Sequence, residues 1–286
     1  MLRTLRPRQW PKNLLVAAAP AAAGGLTSWS VAWRTAVATL AFTAVASAMY
    51  LVNDTIDAPS DRLHPVKKGR PIASGAVSGR TAIAAAAALL ALGLAVGALT
   101  GWSLAIVLLA YAATTGAYSL GLKRVPVLEM ALVASGFVLR AIAGGAACRI
   151  AISPWFLVVT SGAAFLIVAG KRQGEVAAMK EAAPLHRPVL AAYPPGFLFA
   201  ARLLASAVTT TAYCLWVFER ASHVGNAHTL LWFELSIIPF VLGLLAVERG
   251  VQRHPGVAPE ELALRDRALQ AAGVGWLALI VVGIYG

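Results

Sequence analysis

Nine apolar runs, each long enough to cross a bilayer as a helix, constrain this chain more than any other feature. They cover residues 13–29, 31–53, 79–99, 102–121, 125–147, 152–170, 197–218, 229–248 and 267–285. At about 1.5 Å of rise per residue, runs of this length span a hydrocarbon core of about 30 Å. Lipid offers no partner to a bare peptide group, so helices with internal hydrogen bonds are the expected solution. Pro20, Pro154 and Pro239 fall inside the runs, and membrane helices tolerate them. Composition agrees: 59% of residues are hydrophobic, 13% are charged, and mean hydropathy is +0.74. The expected fold is an all-α polytopic membrane protein, a single domain over residues 1–286.

The net charge of +12 does not point to nucleic acid, because the basic residues sit in short segments between apolar runs. That distribution sets topology and attracts anionic lipid or anionic substrate. With the N-terminus in the cytoplasm, twenty of the 24 Lys and Arg fall on the cytoplasmic side. Arg34, Arg149 and Arg220 face the other way, and Arg140 lies within a run. The expectation is a multi-pass plasma-membrane protein whose two long polar loops, 54–78 and 171–196, are cytoplasmic. Arg3, Arg6, Arg8 and Lys12 ahead of the first run mimic a secretory signal, but the many later runs argue against cleavage. Cys148 and Cys214 lie in apolar runs and form neither a metal spacing nor a disulfide framework. His223, His228 and His254 have no ligand spacing.

Against this apolar background, Asn53 to Gly75 concentrates three aspartates, a histidine and four basic residues. Asp54, Asp57 and Asp61 are like charges at near-helical spacing and repel one another. A divalent cation would remove that repulsion. Mg²⁺ suits the set, since it takes one or two carboxylates and fills its other positions with water and phosphate oxygens. Lys67, Lys68 and Arg70 would then meet further phosphate oxygens. The alternative is a solvated loop between helices. Pro59 argues against a continuous helix through all three acids, so Asp61 is expected to hold the loop rather than the metal.

The second polar loop opens with Lys171, Arg172, Gln173 and Glu175. One reading is a helix-end ion pair between Lys171 and Glu175 at i and i+4. The other is phosphate capture by Lys171 and Arg172, with Glu175 holding metal-bound water or sugar hydroxyls; Arg187 and Tyr193 fit either. Two such loops, four spans apart, can converge over one cavity. Glu129 and Arg140 are ionisable at membrane depth, where a charge faces a cavity or a partner. Tyr118, Lys123 and Arg124 close the fourth run as interface anchors.

The motif Asn53-Asp54-x-x-Asp57-x-x-x-Asp61 resembles the first aspartate motif of the UbiA superfamily of membrane prenyltransferases. The resemblance extends to its decaprenyl-phosphate phosphoribosyltransferase branch through several more segments. These are Arg6-Pro7-Arg8-Gln9-Trp10-x-Lys12-Asn13, Arg62-x-His64-Pro65-x-Lys67-x-x-Arg70-Pro71, and Tyr118-Ser119-x-Gly121-Leu122-Lys123. Ser135-Gly136, Arg140, Gly144-Gly145, Gly170-Lys171-Arg172-x-x-Glu175 and Ala263-Leu264-Arg265-Asp266 continue it, so that it spans nearly the whole chain. The second aspartate motif of ordinary UbiA prenyltransferases is absent, which favours the phosphoribosyl branch. Position 173 carries Gln where that branch has an aromatic residue, often Tyr.

The resemblance implies a nine-helix bundle around a central cavity open to the bilayer, and Mg²⁺ dependence. It implies transfer of 5-phosphoribose from phosphoribosyl pyrophosphate to a polyprenyl (decaprenyl) phosphate, releasing pyrophosphate, on the way to cell-wall arabinan. Metal would sit on Asn53, Asp54 and Asp57, with Asp61 beside them; Asp54, Asp57 and Glu175 would carry the chemistry. Lys12, Arg62, Lys67, Arg70, Tyr118, Lys123, Arg140, Lys171 and Arg172 form the substrate-binding pool. Partners are the two substrates and membrane lipid, not nucleic acid; a homo-oligomer is compatible. Two alternatives remain: a prenyltransferase moving a prenyl group from its diphosphate to an aromatic acceptor, and a transporter of anionic lipid. The transporter needs charges recurring along the spans, and only Glu129 and Arg140 are clearly internal.

Overall fold

The computed structural model describes residues 2–65, 67–179, 188–223, 227–254, 257 and 259–286. Among them every regular element is helical. Eight helices are long and apolar enough to cross a membrane. The chain divides into two compact units, Met1–Ala151 and Ile152–Gly286.

In the first unit the first of the nine expected spans, 13–29, is broken into short pieces. Pro7–Ala17 is a 3₁₀ segment, α1 is only Ala18–Ala22, and Gly25–Thr27 is another 3₁₀ turn. Prolines at 7, 11 and 20 remove backbone donors, and Gly24 turns the chain with φ of 74°. The segment still buries Asn13 and Val16. It packs on α2 (Trp29–Leu63) and α5 (Leu128–Cys148). Between these come α3 (Gly79–Thr100) and α4 (Trp102–Leu120).

Small residues set the helix spacing. A methyl on Gly93 of α3 would lie 2.6 Å from Val45 and 2.9 Å from the Ala41 carbonyl, so α2 and α3 touch backbone to side chain there. Phe42, Val45, Leu104, Leu108 and Tyr111 fill the core around that contact. Ser78 caps α3 by accepting from the Thr81 amide at 3.1 Å.

Helix α2 positions the polar cluster. Its 35 residues make it about 52 Å long, well beyond the hydrocarbon core. The surplus is its C-terminal end, which carries Asn53 to Leu63 out of the apolar layer. Contrary to the expectation from Pro59, the helix runs through all three acids. The proline sits in the closing turns, where few following residues depend on the lost hydrogen bond.

In the second unit α6 (Pro154–Met179) continues nine residues past the predicted end of its apolar run, so Lys171 to Glu175 are helical rather than loop. It packs on α7 (Phe197–His223), where Gly162 meets Thr209. The run predicted over 229–248 becomes α8 (Ala227–Leu235) and α9 (Ile237–Arg253), with Ser236 between them. The Ser236 hydroxyl donates to the Phe233 carbonyl at 2.5 Å and meets the Tyr213 hydroxyl at 2.7 Å. α10 (Pro259–Arg265) and α11 (Arg267–Tyr285) complete the unit. Tyr213 stacks on Phe240, and Trp276 meets both rings at a tilt.

Trp29 and Trp102 open α2 and α4 and are largely exposed, at the ends opposite the acids, as aromatic belts are. They mark an interface at that end without saying which side it faces. We predict that a cysteine replacing exposed Lys68, in a background lacking Cys148 and Cys214, reacts with a membrane-impermeant reagent only from the cytoplasmic side. One replacing exposed Ser28 should react only from outside. Labelling of position 68 from outside intact cells would invert the topology.

Candidate active site

The acids of α2 lie on one arc of the helix and divide into two pairings. Asp54 and Asp61, seven residues apart, are both buried. Arg70 bridges them, donating through Nη1 to Asp54 Oδ1 at 3.1 Å and to Asp61 Oδ2 at 2.6 Å. Arg6 closes on Asp54 from the N-terminal segment, donating through Nε to Oδ2 at 3.1 Å and through Nη2 to Oδ1. Two-pronged guanidinium–carboxylate contact is the strong geometry for such a pair. Arg6 adopts a left-handed backbone, φ 54°, to make it, a conformation uncommon outside glycine.

Asp57 and Asn53 form the second pairing, one turn apart. Asn53 donates through Nδ2 to Asp57 Oδ2 at 3.1 Å. Lys123, just beyond α4, donates to Asp57 Oδ1. Ser119 donates to Asn53 Oδ1 at 2.9 Å and so fixes the amide's orientation. The Asp57 side chain is 24% exposed, against 5% for Asp54 and Asp61, so it is the acid a substrate can reach.

Three acids thus face three cations. The repulsion that the sequence suggested a metal would relieve is relieved here by Arg6, Arg70 and Lys123. Neither Arg6 nor Ser119 was legible as a partner of this cluster, because contacts 48 and 66 positions away in the chain leave no local spacing to read. Lys123 is more than an interface anchor.

The other pooled residues divide. Arg62 donates to the Ala73 carbonyl at 3.1 Å and staples the loop. Lys67 sits beside His64, whose Nδ1 accepts from its amide at 3.3 Å. Tyr118 is half-buried. Lys12 lies 5.7 Å from the Phe137 ring centroid. Arg140, 4% exposed, donates to Asn13 Oδ1 at 2.9 Å and to the Gly136 carbonyl at 2.5 Å, between the rings of Phe42 and Tyr111. Its guanidinium is committed to anchoring the N-terminal segment. Glu129 is fully buried in the first turn of α5, where the helix dipole favours a negative charge.

In the second unit Arg172 is buried and donates to both oxygens of Glu175, at 3.0 and 3.2 Å. Lys171 is exposed; Arg187 lies outside the described residues. An internal ion pair adds to the two intramembrane charges read from sequence. Arg202, fully buried, donates to both oxygens of Glu248 and through Nη1 to Gln173 Oε1 at 2.6 Å. Sequence reading counted Arg202 with the cytoplasmic charges, because it stands near the start of an apolar run. The pair is self-contained and does not make the row of internal charges a transporter needs.

The donor set around Asn53 and Asp57 fits Mg²⁺. It offers one reachable carboxylate and one amide oxygen, both hard, with buried Asp54 on the next turn, and Mg²⁺ is held by one or two carboxylates plus phosphates. Among the described residues no group of three or more His, Cys, Asp and Glu is clustered for a metal.

The family model of the UbiA prenyltransferase family matches residues 14–263. The chain is 39% identical to the decaprenyl-phosphate phosphoribosyltransferase of Corynebacterium glutamicum, over 100% of this chain and 86% of that one. It is 38% identical to the enzyme of that name from Mycobacterium tuberculosis, over 98% and 92%. The structure of a UbiA homolog from Archaeoglobus fulgidus, bound to DMAPP and Mg²⁺, superposes with a TM-score of 0.73 at 20% identity, covering 99% of this chain and 96% of that one. The apo structure of a UbiA homolog from Aeropyrum pernix superposes at 0.69 and 19% identity, covering 96% and 97%.

Proposed function

The chain belongs to the UbiA prenyltransferase family, and from that membership we propose that it transfers 5-phosphoribose from phosphoribosyl pyrophosphate to a polyprenyl phosphate. What carries this reading is the 39% identity to a decaprenyl-phosphate phosphoribosyltransferase along its whole length. In the reaction an oxygen of the lipid phosphate bonds to the anomeric carbon. The carbon–oxygen bond to pyrophosphate breaks, and its electron pair leaves with pyrophosphate.

The lipid phosphate is already anionic, so no general base is required, and the protein's work is positioning and electrostatics. Asp57, Asn53 and Asp54 would hold Mg²⁺, which when bound would neutralise charge on the departing pyrophosphate. Lys123 and Arg70, each about a quarter exposed, can turn from carboxylate to phosphate oxygens when the donor arrives. Arg6 holds buried Asp54 in place. Asp61 keeps Arg70 at the cluster.

Lys171 is exposed and helical, so it is the better second-unit candidate for a phosphate contact. We predict that Lys171→Ala raises KM for phosphoribosyl pyrophosphate with kcat nearly unchanged, the pattern of lost uniform binding. Arg172→Ala should also lower thermal stability, because it strips Glu175 of a buried partner. The assay that tests the function offers purified protein either phosphoribosyl pyrophosphate or a prenyl diphosphate, with a polyprenyl phosphate or an aromatic acid as acceptor. Label from phosphoribosyl pyrophosphate entering an organic-soluble lipid is the expected result. Prenylated aromatic product with no phosphoribosylated lipid would reject it.

A further inference from the structure

The polar end of the second unit holds a cavity remote in sequence from the acidic cluster and unused by the chemistry above. It lies where α9 gives way to α10 and α11. Its volume is about 450 Å³, and Arg249, His254, Leu262, Arg265, Asp266 and Arg267 contribute to its wall. Three arginines and one carboxylate therefore share its wall.

That carboxylate is already engaged. Asp266 caps α11, accepting from the amides of Ala268 at 2.8 Å and Leu269 at 3.1 Å, and it accepts from Arg249 at 3.1 Å. The Leu269 amide, aided by the Arg249 guanidinium and the Ala268 amide, holds its carboxyl below the usual range. Asp266 is thus a fixed anion with one cation spoken for. Arg265 has only an exposed contact to Glu261 at 3.8 Å, a kind of pair worth little. The side chains of Arg267 and His254 make no hydrogen bond or ion pair among the described residues. Among the described residues, the cavity wall carries three arginines to one carboxylate, and Arg267 and His254 are donors without an acceptor.

Arginine forks match phosphate oxygens. The cavity lies in the polar break between two apolar spans, Leu230–Arg253 and Arg267–Tyr285, at the depth where phospholipid head groups reside. α11, which starts at the cavity, exposes Val274 and Leu277 further along, surface that acyl chains cover. We propose that this cavity binds a phosphate group, supplied in the membrane by the head group of an anionic phospholipid. Basic residues at a membrane surface attract such lipids by just this means.

The test uses the full-length protein, purified and stripped of lipid in detergent. Phosphatidylglycerol, phosphatidylcholine or inorganic phosphate is added, and bound lipid is read by native mass spectrometry alongside the melting temperature. The variant is Arg265→Ala with Arg267→Ala, which spares the Asp266 cap and Arg249. The control is Arg253→Ala, an exposed arginine in the last turn of α9 that does not line the cavity. Phosphatidylglycerol should bind and raise the melting temperature in parent and control, and bind roughly tenfold more weakly in the double variant. Phosphatidylcholine should have little effect. A response to inorganic phosphate alone, lost in the double variant, would keep the phosphate site and overturn the lipid source. Equal phosphatidylglycerol binding by parent and double variant would overturn the site.

Discussion

Asp57→Asn is expected to lower kcat by at least about a hundredfold, the scale of losing one main electrostatic stabiliser, while the protein stays nearly as heat-stable as the parent. The reason lies in exposure. Asp57 is the reachable acid, and its partner Lys123 is also about a quarter exposed, so water can take over what the lost charge leaves. Asp54→Asn should cost a similar factor in kcat and a marked fall in melting temperature as well. It removes the charge that Arg6 and Arg70 share in a buried setting, and an orphaned buried ion is expensive. Asp61→Asn should lower stability and affect turnover less, since Asp61 acts on Arg70. Chelation should abolish turnover in the parent, and Mg²⁺ should restore it. Full activity in Asp57→Asn would remove the metal and donor assignment from this pairing, whatever the fate of the other two variants.

Gly144→Ala is expected to be the most damaging single methyl. A Cβ there would lie 1.8 Å from the Val16 carbonyl oxygen and 2.9 Å from its carbon, with Pro20 at 3.0 Å. Those are mostly backbone atoms and cannot swing aside as a side chain would, so the N-terminal segment must lift off α5. Overpacking typically costs about 1–3 kcal/mol, and more where backbone must move. The segment carries Asn13, which orients Arg140, and Arg6, which orients Asp54. The loss of stability should therefore come with loss of turnover. Circular dichroism melting and the lipid-product assay on the same preparation test this. A variant with the parent's melting temperature would show that the segment does not need this close approach. Gly162→Ala is the milder comparison, because its nearest atom is the Thr209 hydroxyl, which can rotate.

Spans were legible because lipid imposes length and composition on every crossing. The broken first run was not: its apolar count matches a helix, yet Pro20 within it, Pro7 and Pro11 ahead of it and a left-handed glycine decide otherwise. The acids were legible as a cluster, since carboxylates in an apolar chain are conspicuous. Their partners were not, because Arg6 and Lys123 meet them across 48 and 66 residues. The end of α6 was misjudged for the opposite reason, a helix that outlasts its apolar run and carries Arg172 and Glu175 on its polar turns. Arg202 and Glu248 were hidden by position, since a charge near the edge of a span reads as a flank until its partner is known.

One helix both crosses the lipid and carries the acids, so their height above the membrane is a mechanical property of α2. A rigid rod of about 52 Å that leans by about 20°, the average for membrane helices, shortens its vertical reach by about 3 Å. That is roughly the diameter of a water molecule, and more than the difference between contact and no contact for a phosphate oxygen. Bilayers of different thickness impose different tilts. They also set the height at which a lipid-borne phosphate is presented. Enzyme and acceptor are thus gauged by the same slab, and vesicles of graded acyl length should change turnover without changing any residue.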